Sequence, residues 1–435
     1  MDTRTFNEDF FSFIDNSPTP YHAASVLEKE LLRSRFTRLD EGTPWEIESG
    51  KGYFCSRNGS LIAFTTGSSQ DLSKGFRMIG AHTDSPSLQL KPQKKSGCEP
   101  YLVGGVEKYG GALLSTWFDR ELSLAGQASF TTTGGSHKTG LIDFKRPLLY
   151  IPSLAIHLNR SANEGQELNP QTHLSPILAQ SFNEQLPEIE TIVLDQIIEE
   201  YPEDQPSVVN GFDLFCYDSS KPSYFGISNE FLAVPRLDNL LSCFVGLKSI
   251  LLAKKQTNSF LICSNHEEVG SRSNSGALGN FVLSVLSRIF KSDQDKLISL
   301  HNSFLLSLDN AHCSHPNYQD SSDKDYKVLL NNGPVIKINA NQRYCSNGIT
   351  SSVLRILAAE IGVKCQDFVM KSDMPCGSTI GPLTSAQLGI AAVDMGIPTW
   401  GMHSIREVTG SKDPFELYKL ACHFLNKEIL PPFND

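Results

Sequence analysis

The sequence predicts an α/β fold, an α/β/α sandwich with a mostly parallel central sheet, into which a β-rich domain is inserted. Short apolar segments with strand character alternate with helical segments before residue 85 and again after residue 229. This alternation is typical of a parallel sheet covered on both faces. Between these regions helical periodicity largely disappears and Gly, Thr, Ser and Pro become frequent, which is typical of β structure. A length of 435 residues also favours two domains over a single core.

The individual elements follow from apolar periodicity and from the turn residues that interrupt it. A first helix is expected because apolar residues recur at helical spacing at Phe6, Phe10, Phe11 and Ile14. Further helices are predicted at residues 22–33, 187–200, 237–253, 281–290, 351–361 and 414–429. Strands are predicted at residues 61–66, 76–81, 148–151, 212–217, 260–264, 304–308, 335–338 and 390–395. We therefore assign residues 1–85 and 230–435 to one α/β domain and residues 86–229 to the inserted domain.

The composition restricts the partners and the location of the protein. With 38 basic and 48 acidic residues the formal charge is −10, which argues against nucleic acid or an anionic membrane as a partner. No apolar run reaches the roughly 18–20 residues of a membrane helix, and the acidic N-terminal segment does not resemble a secretory signal. The ten cysteines are scattered without a CxxC pair, as expected of reduced thiols. We therefore expect a cytoplasmic protein.

Histidine and acidic residues follow the predicted strands, where open parallel sheets place their functional sites. The residues in such positions, together with an aspartate at the start of an apolar helix, are His82, Asp84, Asp238, Glu267, Glu268, Asp309 and His403. Two histidines and three carboxylates suit two divalent metal ions that share one bridging carboxylate; these predicted ligands are His82, Asp238, Glu268, Asp309 and His403. Imidazole and carboxylate together favour zinc, with manganese or cobalt as alternatives.

Asp84 and Glu267 complete this set without being metal ligands. Residues two apart in an extended segment point to the same side, so Asp84 can orient His82 toward a metal. Glu267 and Glu268 are adjacent, and two adjacent ligands to one metal fit an extended backbone poorly. We therefore expect Glu268 to bind metal, and Glu267 to act as the general base that takes a proton from water and passes it to the leaving amine.

Each of these residues also has a structural interpretation. His82 and Asp84 could form part of a hydrogen-bonded loop, and adjacent glutamates often lie on a solvated face. Asp238 could cap a helix, and His403 could be a histidine satisfied inside the core. The spacing alone leaves these alternatives open.

Longer motifs give the chain a specific resemblance. They are GAHTDSPSLQLKP at 80–92, STWFDREL at 115–122, IPSLAIHLNR at 151–160, NEGQELNPQT at 163–172, VPRLDNLLS at 234–242, EEVGS at 267–271, AHCSHPNY at 311–318, GPVIKINANQRY at 333–344 and GMHSIRE at 401–407. In these motifs the sequence closely resembles the aspartyl aminopeptidase family of dinuclear metallopeptidases, in its bacterial form. Because the motifs lie in both predicted domains, the resemblance covers nearly the whole chain.

The resemblance implies a role for each metal ligand. It places His82 and Asp309 on one metal and Glu268 and His403 on the other. Asp238 would bridge the two metals.

Three further residues enter through the resemblance as substrate-binding residues. His157, in the inserted domain, matches a histidine that reaches a neighbouring subunit's active site in this family; its alternative is a structural histidine in an apolar strand. Lys337 matches the lysine of the pocket for the acidic side chain, and a lysine near the carboxyl end of a sheet could pair with a substrate carboxylate. Its alternative is a solvated strand lysine. Tyr344 is expected in the same pocket.

The family is also known for large symmetric assemblies, typically dodecamers built from dimers, in which the inserted domain mediates contacts. The resemblance therefore implies a homo-oligomer, with residues 86–229 as the dimerisation domain. The sequence departs from the family pattern at His266, where Asn is usual, and at Leu308 and Asn310 beside Asp309, where Ala and Met are common. These departures remove no proposed ligand, but His266 places a titratable group beside the general base.

Taken together, the residues and the resemblance imply an aminopeptidase that removes Asp or Glu from a free peptide N terminus. A deacylase or carboxypeptidase with two metals, an aminopeptidase of broad specificity and a non-catalytic scaffold of the same fold are the alternatives. A serine hydrolase is disfavoured because no GxSxG motif occurs. The Gly-rich segment 377–382 lacks the ending of a phosphate-binding loop and is expected to line the cleft.

Overall fold

The protein divides into two compact units. The computed structural model describes residues 1–68, 71–94, 97–254 and 256–433. The first unit comprises Met1–Asp84, Pro222–Met402 and Glu407–Asp435, and the second comprises Ser85–Lys221 and His403–Arg406. The expected role of residues 86–229 in subunit contacts stays a prediction.

The strands and helices are numbered along the chain. The first strands are β1 (Thr37–Arg38), β2 (Gly52–Arg57), β3 (Ser60–Thr65), β4 (Arg77–His82), β5 (Ser87–Lys94), β6 (Tyr101–Tyr109), β7 (Glu121–Thr132), β8 (His137–Asp143), β9 (Leu149–Tyr150), β10 (Ile177–Gln180) and β11 (Pro206–Asp218). They are followed by β12 (Ser223–Phe225), β13 (Phe231–Val234), β14 (Ser259–Ser264), β15 (Phe304–Leu308), β16 (Ala311–His312), β17 (Val335–Ile338), β18 (Gln366–Val369), β19 (Ala391–Gly396), β20 (Pro398–Trp400) and β21 (Glu407–Gly410). The α-helices are α1 (Thr3–Asp15), α2 (Pro20–Arg33), α3 (Pro170–His173), α4 (Ile189–Glu200), α5 (Leu237–Leu251), α6 (Phe281–Ile289), α7 (Asp293–His301), α8 (Gly348–Glu360), α9 (Ile380–Leu388) and α10 (Asp413–Leu425).

A nine-stranded sheet forms the centre of the first unit. Its strand order is β1-β2-β3-β14-β4-β15-β19-β17-β18. Five of the eight neighbouring pairs are parallel, among them the three adjacent pairs that join β14, β4, β15 and β19. A smaller sheet of the same unit has the order β12-β13-β21-β20-β16.

Helices cover the central sheet on both faces because its inner strands are apolar on both sides. Successive residues of β4 belong to different core clusters: Ile79 packs in one cluster and Met78 in the other. The Ile79 cluster contains apolar side chains of α1, α2, α5, α8 and α10, whereas the Met78 cluster contains side chains of α6, α7 and α9. Alternating burial of this kind is typical of a strand covered on both faces. The predicted α/β/α class is therefore confirmed.

Some helices begin at capping residues that can be read from the sequence. Thr19 accepts a hydrogen bond from the His22 amide, and Pro20 occupies the first helical position of α2. Three α-helices were not predicted: the short α3, and α7 and α9. The sequence of α9, IGPLTSAQL, contains Gly and Pro in its first turn, and only tertiary packing makes this segment helical. The expected last helix also ends at Leu425 rather than at residue 429.

The second unit is built around a seven-stranded antiparallel sheet. Its strand order is β11-β5-β6-β10-β9-β7-β8, with an additional pairing between β11 and β7. Helix α4 covers this sheet and contributes Ile189, Val193 and Ile197 to its apolar core. The expected β-rich character with one longer helix is therefore observed. Within the described ranges, no helix is long and apolar enough to cross a membrane.

Candidate metal centre

Three neighbouring strands of the central sheet end at one edge and carry acidic and histidine residues there. Strands β14, β4 and β15 are parallel, and Ser264 of β14 pairs with His82 of β4. His82 is the last residue of β4, and Asp309 directly follows β15. Glu267 and Glu268 begin a short 3-10 turn just after β14. The sheet therefore brings these residues together from distant parts of the chain, because parallel strands end at a common edge.

His82 presents one ring nitrogen to the carboxylates of this edge. Its side chain is buried, and Nδ1 lies 3.0 Å from the backbone carbonyl oxygen of Asp84 and 3.5 Å from Oδ1 of the same residue. Both oxygens accept hydrogen bonds, so Nδ1 carries a proton. Nε2 lies 3.4 Å from Oδ1 of Asp238 and 3.8 Å from Oδ1 of Asp309. A histidine fixed in this way directs Nε2 toward a cation between the carboxylates.

The charge around His82 favours a bound cation. Burial lowers the pKa of His82, but the carboxylates of Asp238, Asp309 and Asp84 raise it well above its ordinary value. The direction of this shift reflects the negative charge around the imidazole, which a bound metal ion would also compensate.

The donor atoms fit a divalent metal. The ligand atoms of His82, Asp238 and Glu268 all lie within 4.8 Å of one another. One imidazole with surrounding carboxylates is a donor set that zinc accepts. Burying this much negative charge is costly unless a cation compensates it. These residues, with Asp309 beside His82, would therefore hold the metal.

Asp84 fixes the turn that carries the two glutamates. The Glu267 amide donates to Oδ1 of Asp84 at 3.1 Å, and the Glu268 amide donates to Oδ2 at 3.0 Å. The Asp84 carboxylate is completely buried. It therefore positions both glutamates, while the hydrogen bond to His82 Nδ1 is made by the backbone carbonyl of Asp84. His266, just before the pair, adopts a left-handed conformation, and its Nδ1 lies 2.8 Å from Ser273 Oγ.

The two adjacent glutamates differ in their surroundings. Burial raises the pKa of Glu267 to about 7; His82 opposes this shift, and the nearby aspartates add to it. Burial and the charge of Asp238 raise the pKa of Glu268 well above its ordinary value. Only Glu268 belongs to the group of converging ligand atoms. The carboxyl of Glu267 is thus close to these ligand atoms without being one of them. A pKa near neutrality suits a residue that transfers protons.

Asp238 is held in place from two sides. It lies in the first turn of α5 with non-helical backbone angles, and its amide donates to Oε2 of Glu407 at 2.9 Å. The next residue, Asn239, donates through Nδ2 to the backbone carbonyl of Leu308 at 2.8 Å. Helix α5 starts after Arg236 and is kinked at Asp238 and Asn239, whose backbone angles are not helical, so the alternative interpretation of Asp238 as a helix cap stays a prediction.

Lys337 lies beside the same edge of the sheet and is buried. Its Nζ is 3.3 Å from Oδ2 of Asp309 and 5.1 Å from the ring centroid of Tyr344, and it donates to the Asn310 carbonyl oxygen at 3.1 Å. Burial opposes the ionisation of Asp309, but Lys337 and His82 outweigh it and lower the pKa of Asp309. Lys337 is therefore not a solvated lysine.

The direction of β17 differs from the expectation. We expected Lys337 near the carboxyl end of a parallel sheet, but β17 runs antiparallel to β19. The side chain of Lys337 nevertheless reaches Asp309. Tyr344 is buried next to it, and burial raises the pKa of its phenol.

Two residues of the predicted site belong to the second unit. His157 lies in an exposed turn that follows β9, so its interpretation as part of an apolar strand is wrong. His403 is half-buried in a left-handed conformation, and its Nδ1 lies 3.3 Å from the Gly111 carbonyl oxygen. The roles of both histidines stay predictions.

The sequence did not identify the residues that position Asp238. Glu407 and Asn239 each make a buried hydrogen bond that fixes the start of α5. Both lie inside motifs that carry the family resemblance, VPRLDNLLS and GMHSIRE. The motifs could thus have indicated their importance, but the sequence alone could not indicate that Glu407 contacts the amide of Asp238.

Comparisons with known proteins identify the family and the fold of the chain. A family model described as "Aminopeptidase I zinc metalloprotease (M18)" matches residues 13–425. A "Probable M18 family aminopeptidase 2" of Pseudomonas syringae is 45% identical over 426 residues, which cover 98% of this chain and 99% of that protein. The Ape4 chain solved with Nbr1 superposes with a TM-score of 0.92 at 36% identity, covering 97% of this chain and 86% of that chain. The mApe1 dodecamer of S. cerevisiae gives a TM-score of 0.82 at 27% identity, covering 96% and 95%.

Proposed function

Because the chain belongs to the M18 family of zinc aminopeptidases, we propose that it removes Asp or Glu from the free N terminus of peptides at a centre with two divalent metal ions. Membership of this family makes the protein a zinc-dependent hydrolase that releases N-terminal residues. The acidic preference and the second metal ion go beyond the family assignment and are argued from residues of this chain.

The convergence of His82, Asp238 and Glu268 carries the proposal. Asp309 lies beside this cluster, because its Oδ1 is 3.8 Å from His82 Nε2 while Oδ1 of Asp238 is 3.4 Å from the same nitrogen. We propose His82 and Asp309 for one ion and Glu268 and His403 for the other, with Asp238 shared. Zinc at such a site would polarise the peptide carbonyl and acidify water.

The chain's own residues supply proton transfer. Glu267 accepts a proton from the attacking water and returns it to the nitrogen of the leaving peptide. Asp84 keeps Glu267 in register with Glu268 by accepting hydrogen bonds from both amides. A shift of the turn would change the position of the base and of the ligand together.

Lys337 provides a positive charge for the acidic side chain of the first residue. In the absence of metal its ammonium pairs with Asp309. When Asp309 binds metal, part of its charge is neutralised, and Lys337 can pair with a substrate carboxylate at short range. Tyr344 packs beside the ammonium and orients it.

The proposed assembly is a homo-oligomer built from dimers; the mApe1 relative from S. cerevisiae is a dodecamer. The turn around His157 exposes three large apolar side chains, Leu154, Ile156 and Leu158, at 59%, 47% and 75%. Clustered exposed apolar residues are typical of protein interfaces. We propose that this segment contacts a second copy of the chain, where His157 would reach the substrate.

A panel of peptides tests the proposed substrate. The purified protein is incubated with zinc, manganese or cobalt and with peptides that begin with Asp, Glu, Leu or Lys, each with and without N-acetylation. Release confined to free Asp and Glu termini is the expected result. Equal release from all four would remove the acidic preference, and cleavage of the acetylated peptides would instead favour a deacylase.

The Lys337→Met variant tests the selecting residue. We expect the preference for Asp over Leu peptides to fall at least about tenfold, since a charge-assisted contact worth about 1.5 kcal/mol or more is removed. Metal content is measured alongside, because Lys337 also contacts Asp309. A variant with normal metal content and an unchanged preference would show that another residue selects the acid.

A further inference from the structure

A cavity in the first unit lies next to the residues proposed for acid selection and has no assigned role. Its volume is about 420 Å³, and its walls include Asn339, Arg343, Met370, Lys371 and Cys376. This volume falls within the range of pockets that hold small-molecule or peptide ligands, about 300–1,000 Å³.

The described residues that line this cavity carry positive charge only. Arg343 and Lys371 are cations, and the lining contains no carboxylate. The guanidinium of Arg343 forms no ion pair within the described part of the chain, and Lys371 pairs at 3.2 Å with Asp373, whose side chain is 69% exposed. In a chain with a formal charge of −10, such a lining is a local concentration of positive charge. It favours an anionic ligand.

The cavity is connected to the proposed substrate site through one side chain. Cys376 and Met370 pack against the cluster that contains Tyr344. The ring of Tyr344 in turn lies 5.1 Å from the ammonium of Lys337. The cavity is thus a neighbour of the proposed substrate site, but neither Lys337 nor Tyr344 is among the residues that line it.

We propose that this cavity binds a carboxylate on the part of the peptide that is released, its C-terminal carboxylate in a short peptide. This inference rests on the proposed function, because its ligand is part of the substrate. The guanidinium of Arg343 pairs with the carboxylate in the planar geometry that arginine favours, while Lys371 adds a second charge. Asn339 and the apolar walls contact the neighbouring peptide units.

Kinetics with matched peptides test this assignment. The rate constant kcat/KM is measured for Asp-Ala-Ala-Ala and for the same peptide with an amidated C terminus. We expect the acid to be cleaved about three- to tenfold better, a ratio that suits a partly exposed charge pair. In Arg343→Gln the ratio falls toward one. Arg33→Gln, which changes an exposed arginine paired with Glu30 on α2, is the control and keeps the wild-type ratio.

Salt dependence gives a second criterion in the same assay. The acid-to-amide ratio of the wild type should shrink as sodium chloride is raised from 0.05 M to 0.5 M, because salt screens exposed charge pairs. A ratio of one in the wild type at low salt would overturn the assignment. An equal loss of activity toward both peptides in Arg343→Gln would also overturn it.

Binding of the released product tests the cavity without turnover. Calorimetric titration of the wild type with Ala-Ala-Ala and with its amide should show about three- to tenfold weaker binding of the amide. Equal affinities would overturn the inference whether or not the protein prefers acidic first residues. Failure of the acidic preference in the peptide panel, with the affinity difference intact, would instead contradict only the proposed specificity.

Discussion

Buried carboxylates occur in two contrasting settings in the first unit. Asp394, in the middle of the central sheet, is completely buried, and donors satisfy both of its oxygens: the Cys345 amide at 2.7 Å and the Thr379 hydroxyl at 2.8 Å. At the metal centre, Asp238 and Asp309 instead face the imidazole nitrogen of His82 and lie near other carboxylates.

This difference distinguishes Asp394, a carboxylate with a structural role, from the carboxylates that we propose to bind a metal ion. The surroundings of Asp394 are complete within the chain, as expected of a buried charge in a stable fold. At the proposed metal centre, the ligand atoms of His82, Asp238 and Glu268 converge within 4.8 Å of one another, and we propose that a cation compensates their charge. Asp84 shares features of both settings. Its carboxylate accepts hydrogen bonds from two backbone amides, as a structural carboxylate does, but these amides belong to Glu267 and Glu268 of the proposed site. Four predictions test this comparison, beginning with the largest expected effect.

The Glu267→Gln variant is expected to lose activity by about 10³-fold or more, equivalent to about 4 kcal/mol of transition-state stabilisation. The amide cannot accept and return the proton, but it retains the shape of the side chain. Metal content, measured by elemental analysis, should stay close to that of the wild type. Loss of metal in this variant would instead mean that Glu267 is itself a metal ligand, as we propose for Asp238 and Glu268.

Removal of metal is expected to destabilise the metal centre and to leave the environment of Asp394 unchanged. Zinc at a thousandfold excess over its dissociation constant contributes about 4 kcal/mol, so the melting temperature should rise by about 5 °C or more when zinc is added to chelated protein. Differential scanning fluorimetry measures this shift. In the Asp238→Asn variant we expect zinc to raise the melting temperature only slightly. An equal rise in the variant and in the wild type would show that zinc binds at another site.

The contrast between the two settings also shows what could be predicted from the sequence. His82 ends β4, Asp309 directly follows β15, and Glu268 lies in the turn after β14, so a local pattern places them at one edge of a parallel sheet. Asp394 lies inside the strand sequence AAVDMG, where the pattern predicts an apolar core. The donors to this aspartate come from residues 345 and 379, which only the folded chain brings near.

The direction of a strand likewise cannot be predicted from the local sequence pattern. The run VIKI predicts a strand at Val335–Ile338, and the structure has it with these bounds. Its antiparallel pairing with β19 depends on the connections on either side, which carry no simple signal. The last residues of the segment GSTIGP begin α9, which the sequence did not predict, and the expectation that this segment lines a cleft stays a prediction. Gly381 lies at this helix start against Asp394, where an added Cβ would come within 2.6 Å of the carboxylate oxygens.

The Asp394→Asn variant is expected to lower the free energy of unfolding by about 1–3 kcal/mol, because one donor would face the amide nitrogen instead of an acceptor. Urea denaturation measures the change. The control is Asp325→Asn, an exposed loop position, which should change stability by less than about 0.5 kcal/mol. The zinc-induced gain in melting temperature should be the same in both variants. Loss of that gain in Asp394→Asn would show that the two groups of carboxylates are coupled.

The smallest expected effect has the opposite sign. In metal-free protein, Glu268→Gln should raise stability by about 1 kcal/mol, because it removes one of the like charges that the fold brings within 4.8 Å at Asp238 and Glu268. The hydrogen bond from the Glu268 amide to Asp84 is a backbone interaction and survives the change. With zinc present the order reverses, since the wild type gains the binding energy that the variant loses. The metal-free variant could instead prove less stable than the wild type. This result would mean that hydrogen bonds within the chain satisfy the Glu268 carboxylate, as they satisfy that of Asp394. The position of Glu268 at the edge of the sheet would then not depend on a cation.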